Sequence, residues 1–253
     1  MLFVEKTGHG PDLALLHGWG MHGGIWEGVR AALAEQFRVH VVDLPGYGAS
    51  PACEPYTLEA IARSVAQAMP ERTHVVGWSL GGQVSLQWAL LAPQQIDQLI
   101  LIGTTPCFRQ RDDWVHGMSD AVMGEFSASL EQDYEGTLKR FLSLQARSGD
   151  EARATVAAMR EKLFARGKPS IEILRAGLAI LAELDLRGAL NAIKQDTLVI
   201  HGSHDTLTPP EAGQWLAQSL PHAQIEMVRG AAHAPFLSHP HITLDAMTRF
   251  LHG

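Results

Sequence analysis

Gly77-Trp78-Ser79-Leu80-Gly81 lies between the apolar run His74-Val75-Val76 and the helix-like Gln83-Val84-Ser85-Leu86-Gln87-Trp88-Ala89-Leu90. A strand that ends in G-x-S-x-G and turns at once into a helix holds its serine on a strained turn at the edge of a sheet. The glycines are a steric requirement, because side chains at 77 and 81 would collide where strand and helix cross. The serine backbone itself costs about 1 to 3 kcal/mol in such a turn. In a chain with 24 glycines the pentapeptide alone can arise by chance. Its meaning depends on whether the other parts of a hydrolytic site follow in order.

Upstream, Leu13-Ala14-Leu15-Leu16-His17 is an apolar run without alternation, as in a strand covered on both faces, and Gly18-Trp19-Gly20 ends it. Ile25, Trp26, Val29, Leu33 and Phe37 then recur at helical spacing before the strand Val39-His40-Val41-Val42. Asp43 to Pro51 is dense in turn residues. A second helix spans Leu58, Ile61, Ala62, Val65 and Met69, with Thr57 as its cap and Pro70 as its stop. After the pentapeptide comes the buried strand Gln98 to Gly103. This strand and helix alternation predicts a parallel sheet with right-handed crossovers.

From about Thr105 to Gly188 the alternation stops. Helices are expected there over Val122 to Leu130, Tyr134 to Gln145, Glu151 to Phe164 and Ile171 to Leu181. The regular pattern resumes with the strand Thr197 to His201, a helix over Glu211 to Leu220, the strand Gln224 to Val228 and a terminal helix from about Ile242 to His252. The expected architecture is α/β, a mostly parallel central sheet flanked by helices. Residues 1–105 and 189–253 form its core, and 106–188 are an inserted helical cap.

A serine hydroxyl needs a base to take its proton and a third group to orient that base. Gly202-Ser203-His204-Asp205 follows one strand and Gly230-Ala231-Ala232-His233 follows the next, so Asp205 and His233 sit on loops at the same sheet edge. The chain order Ser79, Asp205, His233 is that of α/β-hydrolases, not of chymotrypsin or subtilisin. The oxyanion donors expected in such a site are the backbone amides of Leu80, after the nucleophile, and Trp19, in the loop after the first core strand. Competing residues have plainer roles. Ser79 as a helix cap leaves both flanking glycines unexplained. Asp43, before Pro45-Gly46, reads as a loop anchor and His17 as a hydrogen-bonded structural histidine. His239 and His241, beside Pro240, read as solvated. The 13 histidines include no H-E-x-x-H or comparable pairing, so neither a metal nor any other cofactor is expected.

Composition bounds the remaining classes. With 253 residues, 46% hydrophobic, the chain suits one large α/β unit. A net charge of -7 argues against general nucleic-acid binding, which needs a basic surface. Two distant cysteines, no basic leader with a long apolar run, and no apolar stretch near the roughly 20 residues of a membrane span point to a cytoplasmic protein. The stretch from Lys139 to Lys168 carries eight basic and three acidic residues, a local balance of +5 that leaves -12 elsewhere. Such a patch suits one acidic partner, although a solvated helical face has the same composition.

These residues together resemble the α/β-hydrolase superfamily over essentially the whole chain. Within it the chain is similar to the methyl ester esterases of biotin synthesis. That likeness rests on Leu15 to Gly20, Val42 to Gly48, Gly77 to Gly82, Thr105-Pro106-Cys107-Phe108, Arg140 to Gln145 and Ala231 to Pro240. The resemblance implies hydrolysis of the methyl ester of a pimeloyl chain whose other end is thioesterified to acyl carrier protein, by a monomer. It implies that Phe141, Leu142, Ser143, Leu144 and Gln145 line the acyl channel. Arg140, Arg147 and Arg153 become candidate contacts for the acidic carrier. Side activity on short-chain esters is expected, and the alternatives are a hydrolase of another small ester, a carbon-carbon hydrolase or lyase using the same triad, and a binding protein that keeps the fold without turnover.

Overall fold

The computed structural model describes residues 1–144 and 150–253. Among the described residues seven strands form one sheet: β1 (Val4–Thr7), β2 (Asp12–Leu16), β3 (Arg38–Val42), β4 (Thr73–Trp78), β5 (Ile96–Ile102), β6 (Asp196–Gly202) and β7 (Ala223–Val228). Their order across the sheet is β1-β3-β2-β4-β5-β6-β7, and only β1 runs antiparallel, against β3. The strand β1 was not expected from sequence. Its Val4-Glu5-Lys6-Thr7 is half exposed at the sheet edge and carries neither alternation nor a continuous apolar run.

The central strands are apolar because both faces are covered. Leu13 to Leu16, Val75 to Trp78, Leu99 to Ile102 and Val199 to Ile200 are buried. Helices α1 (Glu27–Ala34), α2 (Leu58–Ala68) and α3 (Leu80–Leu91) link the first half of the sheet. A 3₁₀ turn over Gly23–Trp26 takes up the start of the first predicted helix. Thr57 caps α2 as expected, its hydroxyl accepting from the Ala60 amide at 3.2 Å. Helix α3 is buried almost all round from Leu80 to Ala89, as befits the element under the centre of the fold.

Between β5 and β6 the chain passes through α4 (Asp120–Gln132), α5 (Tyr134–Leu144), α6 (Asp150–Lys162) and α7 (Ile171–Glu183). Then α8 (Pro210–Ser219) joins β6 to β7, and α9 (Pro235–Ser238) and α10 (Pro240–Leu251) end the chain. Helix α1 packs beside α10, and α2 beside α3.

The strand order reverses between β2 and β4: the chain steps from β2 outward to β3, returns past β2 to β4, and continues the other way. At such a switch point the loops after neighbouring strands diverge and leave a crevice. Leu16 pairs with Gly77, Trp78 with Ile102, Ile102 with Ile200, and Gly202 with Val228. The loops after β2, β4, β5, β6 and β7 therefore emerge side by side along one edge.

Candidate active site

Ser79 has φ 56° and ψ -118°, and among the described residues it is the one non-glycine at positive φ. The turn is held by its neighbours. The Ser79 amide donates to the Ile102 carbonyl at 3.0 Å, and the Gly82 and Gln83 amides donate to the Ser79 carbonyl at 2.9 and 3.2 Å. Both glycines are sterically demanded: a Cβ at Gly77 would lie 2.4 Å from Ser85 Oγ, and one at Gly81 only 2.3 Å from the Leu16 carbonyl oxygen. Although Ser79 sits in the cap position of α3, its side chain makes no capping hydrogen bond. The hydroxyl is left for other work.

The acid and base loops meet at the end of β5. His233 Nδ1 donates to Asp205 Oδ2 at 2.8 Å, which assigns the proton to Nδ1 and leaves Nε2 as the lone-pair nitrogen. Nε2 is buried and has no hydrogen-bond partner among the described residues. Asp205 Oδ1 accepts from the Leu207 and Thr208 amides, each at 2.9 Å, and Oδ2 also accepts from Thr208 Oγ1 at 2.7 Å. Burial alone would push the Asp205 carboxyl up. The electrostatic pull and hydrogen bond of the His233 ring, the nearby His201 ring and the Thr208 amide outweigh it and hold the group below its ordinary value.

Three further contacts fix the base over the elbow. The indole nitrogen of Trp78 donates to the His233 carbonyl at 2.9 Å, and the Phe236 ring stacks on Trp26 at 4.3 Å while meeting Trp78 edge-on at 5.4 Å. The His233-Ala234-Pro235-Phe236 run is thus tied to the residue that precedes the serine. Gly103, at φ 52°, lets the strand end pass beneath: a Cβ there would lie 2.7 Å from the His233 carbonyl oxygen and 3.1 Å from its Nδ1.

In the loop after β2, the Leu44 amide donates to His17 Nε2 at 2.9 Å, so His17 Nδ1 carries the proton and donates to the Gly18 carbonyl at 2.8 Å. Burial holds the His17 ring at about 4, so it stays neutral. The Met21 amide also reaches the Gly18 carbonyl, at 3.3 Å. Gly18 C=O and Trp19 N–H belong to one planar trans peptide, so anchoring the carbonyl aims the Trp19 amide the opposite way. Among the described residues neither the Trp19 nor the Leu80 amide joins the backbone hydrogen bonds of the surrounding turns. His17 and Asp43 are structural, as the sequence suggests. Asp43, fully buried, accepts from the Gly23 amide at 2.7 Å, the Ala49 amide at 3.0 Å and Arg166 at 3.1 Å. His239 is half-buried, with Nδ1 2.9 Å from Ser238 Oγ, where solvation was expected.

Of the residues assigned to the acyl channel, the structure brings Phe141 to the site's loop. Its ring lies 5.1 Å from Trp19 and 5.2 Å from Phe126, and Trp19 lies 5.5 Å from Phe126. Leu142 is buried. Ser143 is exposed, its hydroxyl donating to the Lys139 carbonyl at 3.0 Å and accepting from Arg160 at 3.2 Å. Leu144 ends α5; Gln145 lies outside the described residues, as does Arg147. Arg140 and Arg153 are exposed, and Arg140 donates to Thr137 Oγ1 at 3.0 Å. Sequence reasoning missed Gly103, Phe126, His201 and Thr208, whose roles come from contacts across 25 or more residues or from a turn that bore no motif.

No group of three or more His, Cys, Asp or Glu side chains among the described residues is placed to hold a metal ion, and no helix among them is long and apolar enough to cross a membrane. What the arrangement offers is a hydroxyl on a strained turn, an oriented imidazole, an ionised carboxylate behind it and two backbone donors: the parts of acyl transfer through a serine.

Residues 13–240 match the alpha/beta hydrolase fold family. The chain is 47% identical over 240 residues to the pimeloyl-[acyl-carrier protein] methyl ester esterase of Nitrosomonas europaea, covering 94% of this chain and 95% of that one. It is 42% identical to the enzyme of the same name from Nitrosospira multiformis, covering 98% and 97%. Among solved structures, an esterase from Exiguobacterium antarcticum superposes with a TM-score of 0.91 at 24% identity, over 100% of this chain and 96% of the other, which shows a shared fold.

Proposed function

This chain belongs to the alpha/beta hydrolase fold family, and from that premise we propose that it is a serine carboxylesterase acting on the methyl ester of a pimeloyl chain carried by acyl carrier protein, in biotin synthesis. The observation that carries the chemistry is the 2.8 Å bond from His233 Nδ1 to Asp205 Oδ2, which leaves Nε2 bare, combined with a serine held at φ 56°.

In this reading His233 Nε2 takes the Ser79 proton as Oγ attacks the ester carbonyl carbon. The carbonyl π pair moves onto oxygen, where the Trp19 and Leu80 amides receive it. One such donor contributes roughly 3 to 4 kcal/mol of transition-state stabilisation. When the tetrahedral intermediate collapses, the imidazolium returns its proton to the methoxy oxygen, methanol leaves, and the acyl group stays on Ser79. Water, deprotonated by the same nitrogen, then attacks the acyl-enzyme carbonyl; as the acyl–Oγ bond breaks, the imidazolium gives that proton to Ser79 Oγ and the pimeloyl carboxyl group is freed. Asp205, already supplied with donors, stays ionised throughout and keeps the proton of the neutral ring on Nδ1.

Substrate choice falls to the cap over residues 106–188. Trp19, Phe126 and Phe141 supply an apolar wall beside the serine loop, and Phe141, Leu142, Ser143, Leu144 and Gln145 form the acyl channel by likeness to the esterases. Arg140, Arg147 and Arg153 meet the acidic carrier. The enzyme works as a cytoplasmic monomer without a cofactor.

The test offers wild type and Ser79→Ala three substrates side by side: pimeloyl-carrier methyl ester, dimethyl pimelate and p-nitrophenyl butyrate. Ser79→Ala is expected to lose about 10⁶-fold in kcat on all three. Wild type is expected to show its highest kcat/KM on the carrier-bound ester. Near-normal hydrolysis by the variant overturns the nucleophile; equal kcat/KM for carrier-bound and free ester overturns the carrier.

A further inference from the structure

The Thr208 hydroxyl touches both members of the acid–base pair and belongs to neither. Its Oγ1 lies 2.7 Å from Asp205 Oδ2, 3.2 Å from His233 Nδ1 and 3.2 Å from the Gly103 carbonyl oxygen, and the residue is buried. A hydroxyl has one proton to give. The carboxylate is the nearest acceptor and the charged one, so it receives that proton. The hydroxyl lone pairs are then turned toward the His233 Nδ1–H, which finds Oδ2 and Oγ1 together as its acceptors.

His201 fixes this loop from behind. Its Nε2 donates to the Thr208 carbonyl at 2.7 Å and stands 3.4 Å from Asp205 Oδ2. A Cβ at Gly213 of α8 would lie 2.4 Å from His201 Nδ1, so the helix leaves that ring no room to move away. The charged or titratable groups around Asp205 are His233 from the loop after β7 and His201 from the end of β6, with Glu211 of α8 acting on His201.

We propose that Thr208 is a positioning residue for the reaction: its hydroxyl holds Asp205 Oδ2 opposite His233 Nδ1 and shares the carboxylate charge. This rests on the triad reading of Ser79, Asp205 and His233. Removing the hydroxyl leaves the carboxylate with one fewer donor and its charge more concentrated. The imidazolium beside it is then held more firmly, and the ring loses one of the two contacts that set its plane.

The experiment measures p-nitrophenyl butyrate hydrolysis across pH for wild type, Thr208→Val, Thr208→Ser and Ser79→Ala, with thermal unfolding of each. Thr208→Val keeps the shape and loses the donor. It is expected to lower kcat about tenfold, the rate equivalent of one charge-assisted hydrogen bond, with KM within about twofold because Thr208 touches no substrate. The acidic limb of its kcat/KM profile is expected to move up by about half a pH unit. Thr208→Ser is expected to restore both; should valine prevent folding, Thr208→Ala carries the same expectation. A hydroxyl-less variant with wild-type kcat, an unmoved acidic limb, or a serine variant as slow as the valine one overturns the proposal. If Ser79→Ala stays active, the triad reading itself falls. If Ser79→Ala is dead while Thr208→Val behaves as wild type, only the role of Thr208 falls.

Discussion

At the scale of residues, Asp205 shows how a buried carboxylate is kept charged. It accepts from two backbone amides, one hydroxyl and one imidazole, so its lone pairs are used and a proton would have to displace a donor. Asparagine at this position would keep the shape and present either an amide oxygen or an NH₂ group to His233. Where the NH₂ group faces Nδ1, that nitrogen must become the acceptor, and the proton moves to Nε2, where it blocks attack. Asp205→Asn is therefore expected to lose about 10⁴-fold in kcat with a nearly unchanged KM. Steady-state kinetics on a short ester checks this, and a loss under tenfold would remove Asp205 from the triad. The placing of Ser79, Asp205 and His233 on loops that follow β4, β6 and β7 was legible in sequence, because those strands declare themselves as apolar runs. Thr208 and Gly103 were not. Thr208 earns its place through a side chain 25 residues away, and Gly103 through a chain crossing that exists only in the folded molecule.

At the scale of elements, the end of α6 and the turn after it are tied to the core by charge. Arg166 bonds Glu5 of β1 and the buried Asp43 that follows β3, with its guanidinium over the Phe3 ring at 5.3 Å. Lys162 pairs with Glu27 of α1, and its carbonyl accepts from His22 Nε2 at 2.5 Å. Removing the arginine would leave a fully buried carboxylate with two amide donors and no counter-charge. Arg166→Ala is expected to cost about 3 kcal/mol in urea unfolding, with Arg166→Lys recovering only part because one ammonium cannot fork between two carboxylates. A loss under about 0.5 kcal/mol, the size of an exposed pair, would refute this. The basic stretch from Lys139 to Lys168 looked in sequence like a surface for a partner. Lys162, Arg166 and Lys168 are in fact occupied by Glu27, by Glu5 and Asp43, and by Glu135. Most of those acids are far away in the chain, so no local charge count reveals the pairing. The same holds for β1, an edge strand whose pairing to β3 comes from register and not from any apolar pattern.

At the scale of the whole molecule, several histidines are folded in as neutral rings. Burial lowers His17 to about 4, and burial likewise lowers His22, His74 and His201 below their ordinary 6.5. Below pH 6.5 the unfolded chain binds protons that the folded chain refuses, so stability is full above that value and falls with pH beneath it. His17 alone accounts for on the order of 3 kcal/mol by the time pH reaches its folded value. Asp205, held low, adds a second loss below its ordinary 3.8. Urea midpoints are thus expected to drop steadily between about pH 7 and about pH 5, and a flat profile across that range would refute the account. The parallel order of β2 to β7 carries a different consequence. Ser79 is delivered by the strands before the long helical segment, Asp205 and His233 by the strands after it, and the two sets meet only when β5 pairs with β6. Until then a growing or refolding chain bears a hydroxyl with no base. Closing that gap depends on length only logarithmically: doubling the segment would add about 0.6 kcal/mol of closure entropy. The pairing register of β5 and β6 sets how the Ser79 loop faces the loops of Asp205 and His233, whatever the size of the segment between them. The segment between β5 and β6 can therefore change length at little entropic cost, provided that the pairs Lys162 and Arg166 make with Glu27, Glu5 and Asp43 are kept or replaced.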